Sequence, residues 1–135
     1  MEIDTRIRES FARQGMMTTL GARLVAVTPG AVEIEAAITP ETSQQHGFAH
    51  AALAFALGDS AAGYAALTVM PEDREVVTSE MKIHLLAPAR GARLIARGRV
   101  VKPGRRLVIV TADVYAVTAG GETHAALLTG TMVPV

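Results

Sequence analysis

Apolar positions along the chain follow two periods, and the changes of period mark out the elements. Ile3, Ile7 and Phe11 recur every four residues, with Arg6, Arg8 and Glu9 on other faces. That spacing predicts a helix over Asp4 to Arg13, within an N-terminal unit 1–15 that Gly15 ends. Met16 to Leu20 is apolar and reads as loop or a helical turn. From Arg23 the period drops to two. Arg23 to Val27 reads as a strand, and Thr28-Pro29-Gly30 has the order of a type II turn. In the next strand, Ala31 to Ile38, Val32, Ile34 and Ala36 alternate with Glu33 and Glu35. The pair forms a hairpin that Pro40 closes.

After a polar loop, Glu41 to Gly47, alternation disappears. Gln44 to Ala66 reads QQHGFAHAALAFALGDSAAGYAA. A helix is predicted over 48–69, from Phe48 to Val69, stopped by Pro71. It is apolar on nearly all faces and so is expected to be buried. Gly58 and Gly63 each cost about 1 kcal/mol of helix propensity against alanine, which close packing is expected to offset. Period two then returns in four strands: Glu75 to Leu86, Arg93 to Lys102, Arg106 to Thr118 and Glu122 to Val133. The short turns between them predict an antiparallel meander. One buried helix and one antiparallel sheet make a two-layer α+β domain over 1–135, with the sheet curled around the helix.

Composition narrows the chemistry. The 135 residues are 50% hydrophobic, enough for a core, and formal net charge is zero. Bulk charge therefore favours neither nucleic acid nor an anionic membrane. Two Tyr and three Phe make no stacking platform for bases. The chain has no cysteine, so thiol nucleophiles, disulfides and thiolate metal sites are excluded, and a cytoplasmic location is expected. MEIDTRIRES has no signal-like apolar run, and no apolar run is long enough to span a bilayer. Of the four histidines, none forms an H-E-x-x-H pattern, and no metal is expected.

One residue in the apolar helix demands an explanation. Asp59 is its single carboxylate, and an aspartate is rarely buried unless something holds it. It is either structural, bonded to a neighbouring strand, or reactive. Ser60 beside it lacks the G-x-S-x-G elbow of a serine nucleophile and reads as structural.

Three stretches carry a resemblance. Gln44, His50 and Asp59 match a spacing in which an amide residue lies six positions before a His that leads into two small residues, six more positions and an Asp. Val77-Thr78-Ser79-Glu80-Met81-Lys82-Ile83 running into Leu86-Ala87-Pro88-Ala89-Arg90-Gly91 is the second, and Gly98 to Arg105 the third. Together they make the chain, from about Leu20 on, resemble the phenylacetate-pathway (PaaI-like) acyl-CoA thioesterases, which have the hotdog fold. The family's Gly-Gly after the His is Ala51-Ala52 here. Alanine keeps the backbone N–H, while its methyl narrows the approach.

The resemblance implies an acyl-CoA thioesterase that releases free acid and CoA. Asp59 is then the general base or the nucleophile. The N-terminus of the central helix, through the Ala51 amide and with it Ala52, is the oxyanion hole. Gln44 orients water or the thioester carbonyl, Thr78 helps hold the water, and His50 shapes the helix entry. No separate cofactor is implied, because coenzyme A is part of the substrate. Eight of the thirteen basic residues lie between Met81 and Ala112, where there is no Asp or Glu. Arg97 and Arg99 read as an outer strand face. The turn residues Arg90, Lys102 and Arg105 are better placed for the phosphates of CoA. The resemblance also implies a homodimer or dimer of dimers, with Asp59 of one chain facing the helix N-terminus and Gln44 of another. A non-catalytic acyl-CoA-binding protein and a hotdog hydratase or dehydratase are the competing readings, and fold alone does not separate them.

Overall fold

The computed structural model describes residues 2–135. Two short helices, α1 (Ile3–Arg13) and α2 (Gly15–Thr19), precede the hairpin β1 (Arg23–Thr28) and β2 (Ala31–Ala37). A 3-10 turn at Pro40–Thr42 leads to α3 (Ala51–Leu67), and then come β3 (Val76–Leu85), β4 (Arg93–Pro103), β5 (Val108–Thr118) and β6 (Gly121–Pro134). Met1, part of the expected unit 1–15, lies outside the described residues. α1 covers the helix expected over Asp4 to Arg13 and ends where Gln14 turns extended at ψ 101°, one residue before Gly15; of the two readings open for Met16 to Leu20, α2 makes most of it helical.

The six strands form one antiparallel sheet in the order β1-β2-β4-β5-β6-β3. The α+β hotdog architecture is therefore present, with α3 packed against β2, β3, β4, β5 and β6. The expected meander is corrected at one step: β3 does not pair with β4. It crosses to the far edge and pairs with β6, with Thr78 opposite Met132, while β4 pairs with β2. Local turn lengths could not reveal this, since the β3–β4 connection runs across the sheet rather than around a hairpin.

The core forms where the two periods meet. Val32, Ile34 and Ala36 of β2 and Val108, Val110, Ala112, Val114 and Ala116 of β5 are buried, as alternation requires. They pack with Leu53, Leu57, Ala61, Ala62 and Ala65 of α3. Two glycines set the spacing between the layers. A Cβ on Gly98 of β4 would lie 2.3 Å from the backbone carbon of Ala61, so strand and helix touch backbone to backbone there. A Cβ on Gly58 would lie 2.8 Å from a methyl of Leu128 in β6. Close packing thus accounts for the helix glycine that propensity disfavours.

The central helix is shorter than the expected 48–69. It starts at Ala51 because Phe48, Ala49 and His50 are held in a loop: Ala49 donates to the Ala89 carbonyl and His50 to the Thr42 carbonyl. At its other end the Thr68 hydroxyl bonds back to the Ala65 carbonyl and accepts from the Gly30 amide. No helix among the described residues is long and apolar enough to cross a membrane.

Candidate active site

Asp59 is the ninth residue of α3. Its neighbours on the helix are buried, yet Asp59 and Ser60 are only half-buried, because they line a cleft of about 180 Å³. The cleft is walled by α1 through Ser10, by Gln14, by Tyr64 of α3, and by the start of β3. Thr78 donates a hydrogen bond of 2.8 Å to Asp59 Oδ1. The Met132 sulfur is 3.3 Å from the same hydroxyl. Burial pushes the Asp59 carboxyl above its ordinary value of 3.8, and the Thr78 bond pulls partly back. Thr78 reaches this position at a bulge: the β3–β6 register slips between Thr78 and Glu80, which takes Ser79 out of step.

Polar side chains behind Asp59 form a chain. Ser60 Oγ donates to Gln14 Oε1 at 3.3 Å, Gln14 Nε2 donates to the Tyr64 hydroxyl at 3.1 Å, and Ser10 Oγ is 3.1 Å from that hydroxyl. Ser10, Gln14 and Tyr64 belong to no motif, so sequence reasoning gives them no role at the site. A buried tyrosine needs a partner for its hydroxyl, and that is the one available signal.

The helix N-terminus forms a second cleft, lined by Gln44, Phe48, His50, Ala51 and Leu86 among others. His50 is the N-cap, and its Nδ1 accepts from the Ala52 amide at 2.9 Å. That bond leaves the proton of a neutral ring on Nε2 and takes the Ala52 amide out of use. The Ala51 amide has no partner among the described residues and points from the positive end of the helix. Gln44 Oε1 accepts from the backbone amides of His46 and Phe48. The Nε2 group of Gln44 is the end left for a ligand.

Within one chain these two clefts do not meet. Ala51 and Asp59 are eight residues apart on one helix, about 12 Å along its axis. The basic residues are likewise split. The Arg90 guanidinium stacks on Phe48 at 4.2 Å, beside the helix N-terminus. Arg105 lines a cavity beyond the opposite end of α3, and Lys102 is exposed on β4 outside it. Arg97 bonds to Glu33 and to both carboxylate oxygens of Glu122 on the outer sheet face.

The geometry has close counterparts. A family model described as the thioesterase superfamily matches residues 46–121. The crystal structure of a thioesterase family protein from Silicibacter pomeroyi is 43% identical, covers 99% of this chain and 98% of its own, and superposes with a TM-score of 0.97. The PaaI protein of the Escherichia coli phenylacetic acid degradation operon is 19% identical with a TM-score of 0.86, covering 98% and 93%. A point mutant of the phenylacetic acid degradation protein PaaI from Thermus thermophilus is 29% identical with a TM-score of 0.76, covering 89% and 98%.

Proposed function

The chain belongs to the thioesterase superfamily and is a thioester hydrolase, and we propose that it cleaves acyl-CoA at a site shared by two copies of itself. The observation that carries this reading is the Asp59 carboxylate, desolvated in an otherwise apolar helix and held by a single hydroxyl.

One Asp59 oxygen is engaged by Thr78, which leaves the other free to take a proton from water. The resulting hydroxide adds to the thioester carbonyl. The oxyanion that develops there meets the free Ala51 amide, and loss of such a donor typically costs about 2.7–4 kcal/mol in acyl transfer. Gln44 Nε2 donates to the same carbonyl. Collapse expels the CoA thiolate, which takes up a proton, and the acid departs. In the nucleophilic variant, Asp59 itself adds to the carbonyl, the C–S bond breaks to expel the CoA thiolate and leave an anhydride, and water then cleaves the anhydride to release the acid and restore the carboxylate.

The exposed face of α3 supports the shared site. Ala51, Phe55 and Asp59 fall at i, i+4 and i+8, on one side of the helix. Phe55 is 37% exposed in a helix that is otherwise largely covered. Phe55 is midway between Ala51 and Asp59. A two-fold axis through it therefore sets the Ala51 amide against Asp59 of the partner subunit. Edge strand β3 is unpaired on its outer side and exposes Val77 and Leu85, a suitable seam for a second copy.

The test is thiol release from short, medium, long and aromatic acyl-CoAs by wild type and Asp59→Ala. A thiol dye reports cleanly, because the chain has no cysteine. Wild type is expected to turn over, and Asp59→Ala to lose at least about a hundredfold, the range of general-base catalysis. Full activity in Asp59→Ala would sink the mechanism. Binding without turnover across the panel would favour the non-catalytic module.

A further inference from the structure

The Asp59 cleft has a second polar wall that the mechanism does not use. Ser10, Gln14, Ser60 and Tyr64 all line it. These four side chains carry five polar hydrogens and use three of them on one another. Two are left over, whichever way the Gln14 amide is turned and whichever hydroxyl of Ser10 and Tyr64 donates. Holding α1 against α3 takes only the three bonds already made. The remaining hydrogens have no acceptor among the described residues.

This wall is held from both sides. Ile7 and Met17, on the helices flanking Gln14, are fully buried. The Gln14 amide donates to the Phe11 carbonyl, and the Gln14 carbonyl accepts from Met17 and Thr18. The rings of Phe11 and Tyr64 lie 6.3 Å apart. Donors fixed in this way lose little freedom when a ligand arrives. Nearby charge decides what that ligand is. Asp59 and Glu75 both line the cleft, and no basic residue does. An anionic group would meet two carboxylates there, whereas an uncharged oxygen accepts from the same donors without that repulsion.

Size selects which arm of a thioester fits. The cleft is about 180 Å³, and at about 30 Å³ for each water-sized group that is room for about six carbons. The coenzyme arm, with its nucleotide, is far larger. Ser60 and Tyr64 follow Asp59 by one and five residues, which is up to about 7.5 Å along the helix. An oxygen on the fifth carbon of an extended acyl chain lies about 5–6 Å from the thioester carbon, within hydrogen-bond reach of that span. We propose that Ser10, Gln14 and Tyr64 select acyl groups of about six carbons that carry an uncharged oxygen, a ketone or a hydroxyl, toward the far end. The assignment rests on the acyl-CoA reading above and gives a substrate class to side chains that belong to no motif.

Thiol release from hexanoyl-CoA, 5-oxohexanoyl-CoA and adipoyl-CoA tests this, with ratios of kcat/KM as the readout. Wild type is expected to favour the oxo ester over the plain ester by about fivefold to tenfold, the scale of one hydrogen bond. Adipoyl-CoA, which ends in a carboxylate, is expected to be the poorest of the three. In Gln14→Leu/Tyr64→Phe the ratio of oxo to plain ester is expected to fall to about one. A ratio does not depend on how much of the variant folds. Ser10→Ala, which removes one hydroxyl from a half-buried position, is expected to move the ratio the same way. Equal kcat/KM for the two esters in wild type, a preference for adipoyl-CoA, or an oxo preference that survives in the double variant overturns the proposal. Turnover of hexanoyl-CoA with no such preference leaves the hydrolase intact and removes only the donor wall. If no acyl-CoA of any kind is cleaved, the acyl-CoA reading itself has failed, and this proposal with it.

Discussion

The hydroxyl of Thr78 is 2.8 Å from Oδ1 of Asp59 and donates to it, across a gap of nineteen residues that the fold closes by sending β3 to the edge of the sheet. The bond opposes burial in setting the basicity of the carboxylate. If Asp59 is the base, kcat/KM falls as pH drops through its pKa. Thr78→Val removes a bond to the charged form and so raises that pKa. The acid limb of the kcat/KM profile is expected to move to higher pH in Thr78→Val. An unmoved limb would assign the titration to another group.

Asp59→Asn separates stability from activity. Desolvation places the folded-state pKa above the unfolded value. A group shifted this way contributes stability below its unfolded pKa and loses it as pH rises through the folded value. At neutral pH the charged Asp59 therefore costs stability, and an amide of the same shape does not. Asp59→Asn is expected to be inactive yet to melt higher than wild type at pH 7. The gap should narrow as pH falls toward the ordinary carboxylate value of 3.8. Melting curves at several pH values check both parts, and a lower melting point at pH 7 contradicts the burial account.

Gly98 and Gly58 differ in what a methyl group would strike. At Gly98 the obstacle is the helix backbone at Ala61 and Ala62; at Gly58 it is the end of the Leu128 side chain. Overpacking usually costs about 1–3 kcal/mol. Gly98→Ala is expected at or beyond the upper end of that range, since neither backbone can yield without parting the layers. Gly58→Ala is expected to be milder, because Leu128 can turn and alanine regains about 1 kcal/mol of helix propensity. Urea unfolding of both variants gives the order.

A shared site has a signature in mixtures. Asp59→Ala and Gln44→Ala each remove one half of the constellation. If Asp59 works with Gln44 of the other copy, a heterodimer of the two variants holds one intact site. Co-refolding equal amounts is then expected to restore about a quarter of wild-type activity, as random pairing in a two-fold dimer requires. No recovery, with heterodimers confirmed by mass, would place the whole site within one chain.

Much of this is legible in the chain because it is local. The apolar run around Asp59 announces a buried helix, and period two announces the strands. The resemblance carried by Gln44, His50 and Asp59 is what directs attention to the helix entry and its acid. What stays hidden is long-range. No short pattern tells β3 to pair with β6, and that pairing is what brings Thr78 to Asp59. Ser10 and Gln14 join the cleft only because α1 docks beside Tyr64. The fate of the Ala52 amide depends on which atom His50 turns toward it, a rotamer choice that sequence does not record.

The pairing of Val76 with Pro134 and Thr78 with Met132 also imposes an order in time. On a ribosome, Asp59 emerges first and Thr78 nineteen residues later, but the rail on which Thr78 is seated is the last strand of the fold to appear. Until Met132 has left the exit tunnel, β3 has no neighbour in the sheet, and the aspartate stands without its hydroxyl. A nascent chain stalled before β6 already holds both residues of the pair and still lacks the geometry that joins them. The bond between Thr78 and Asp59 therefore waits on β6 rather than on either of its own residues.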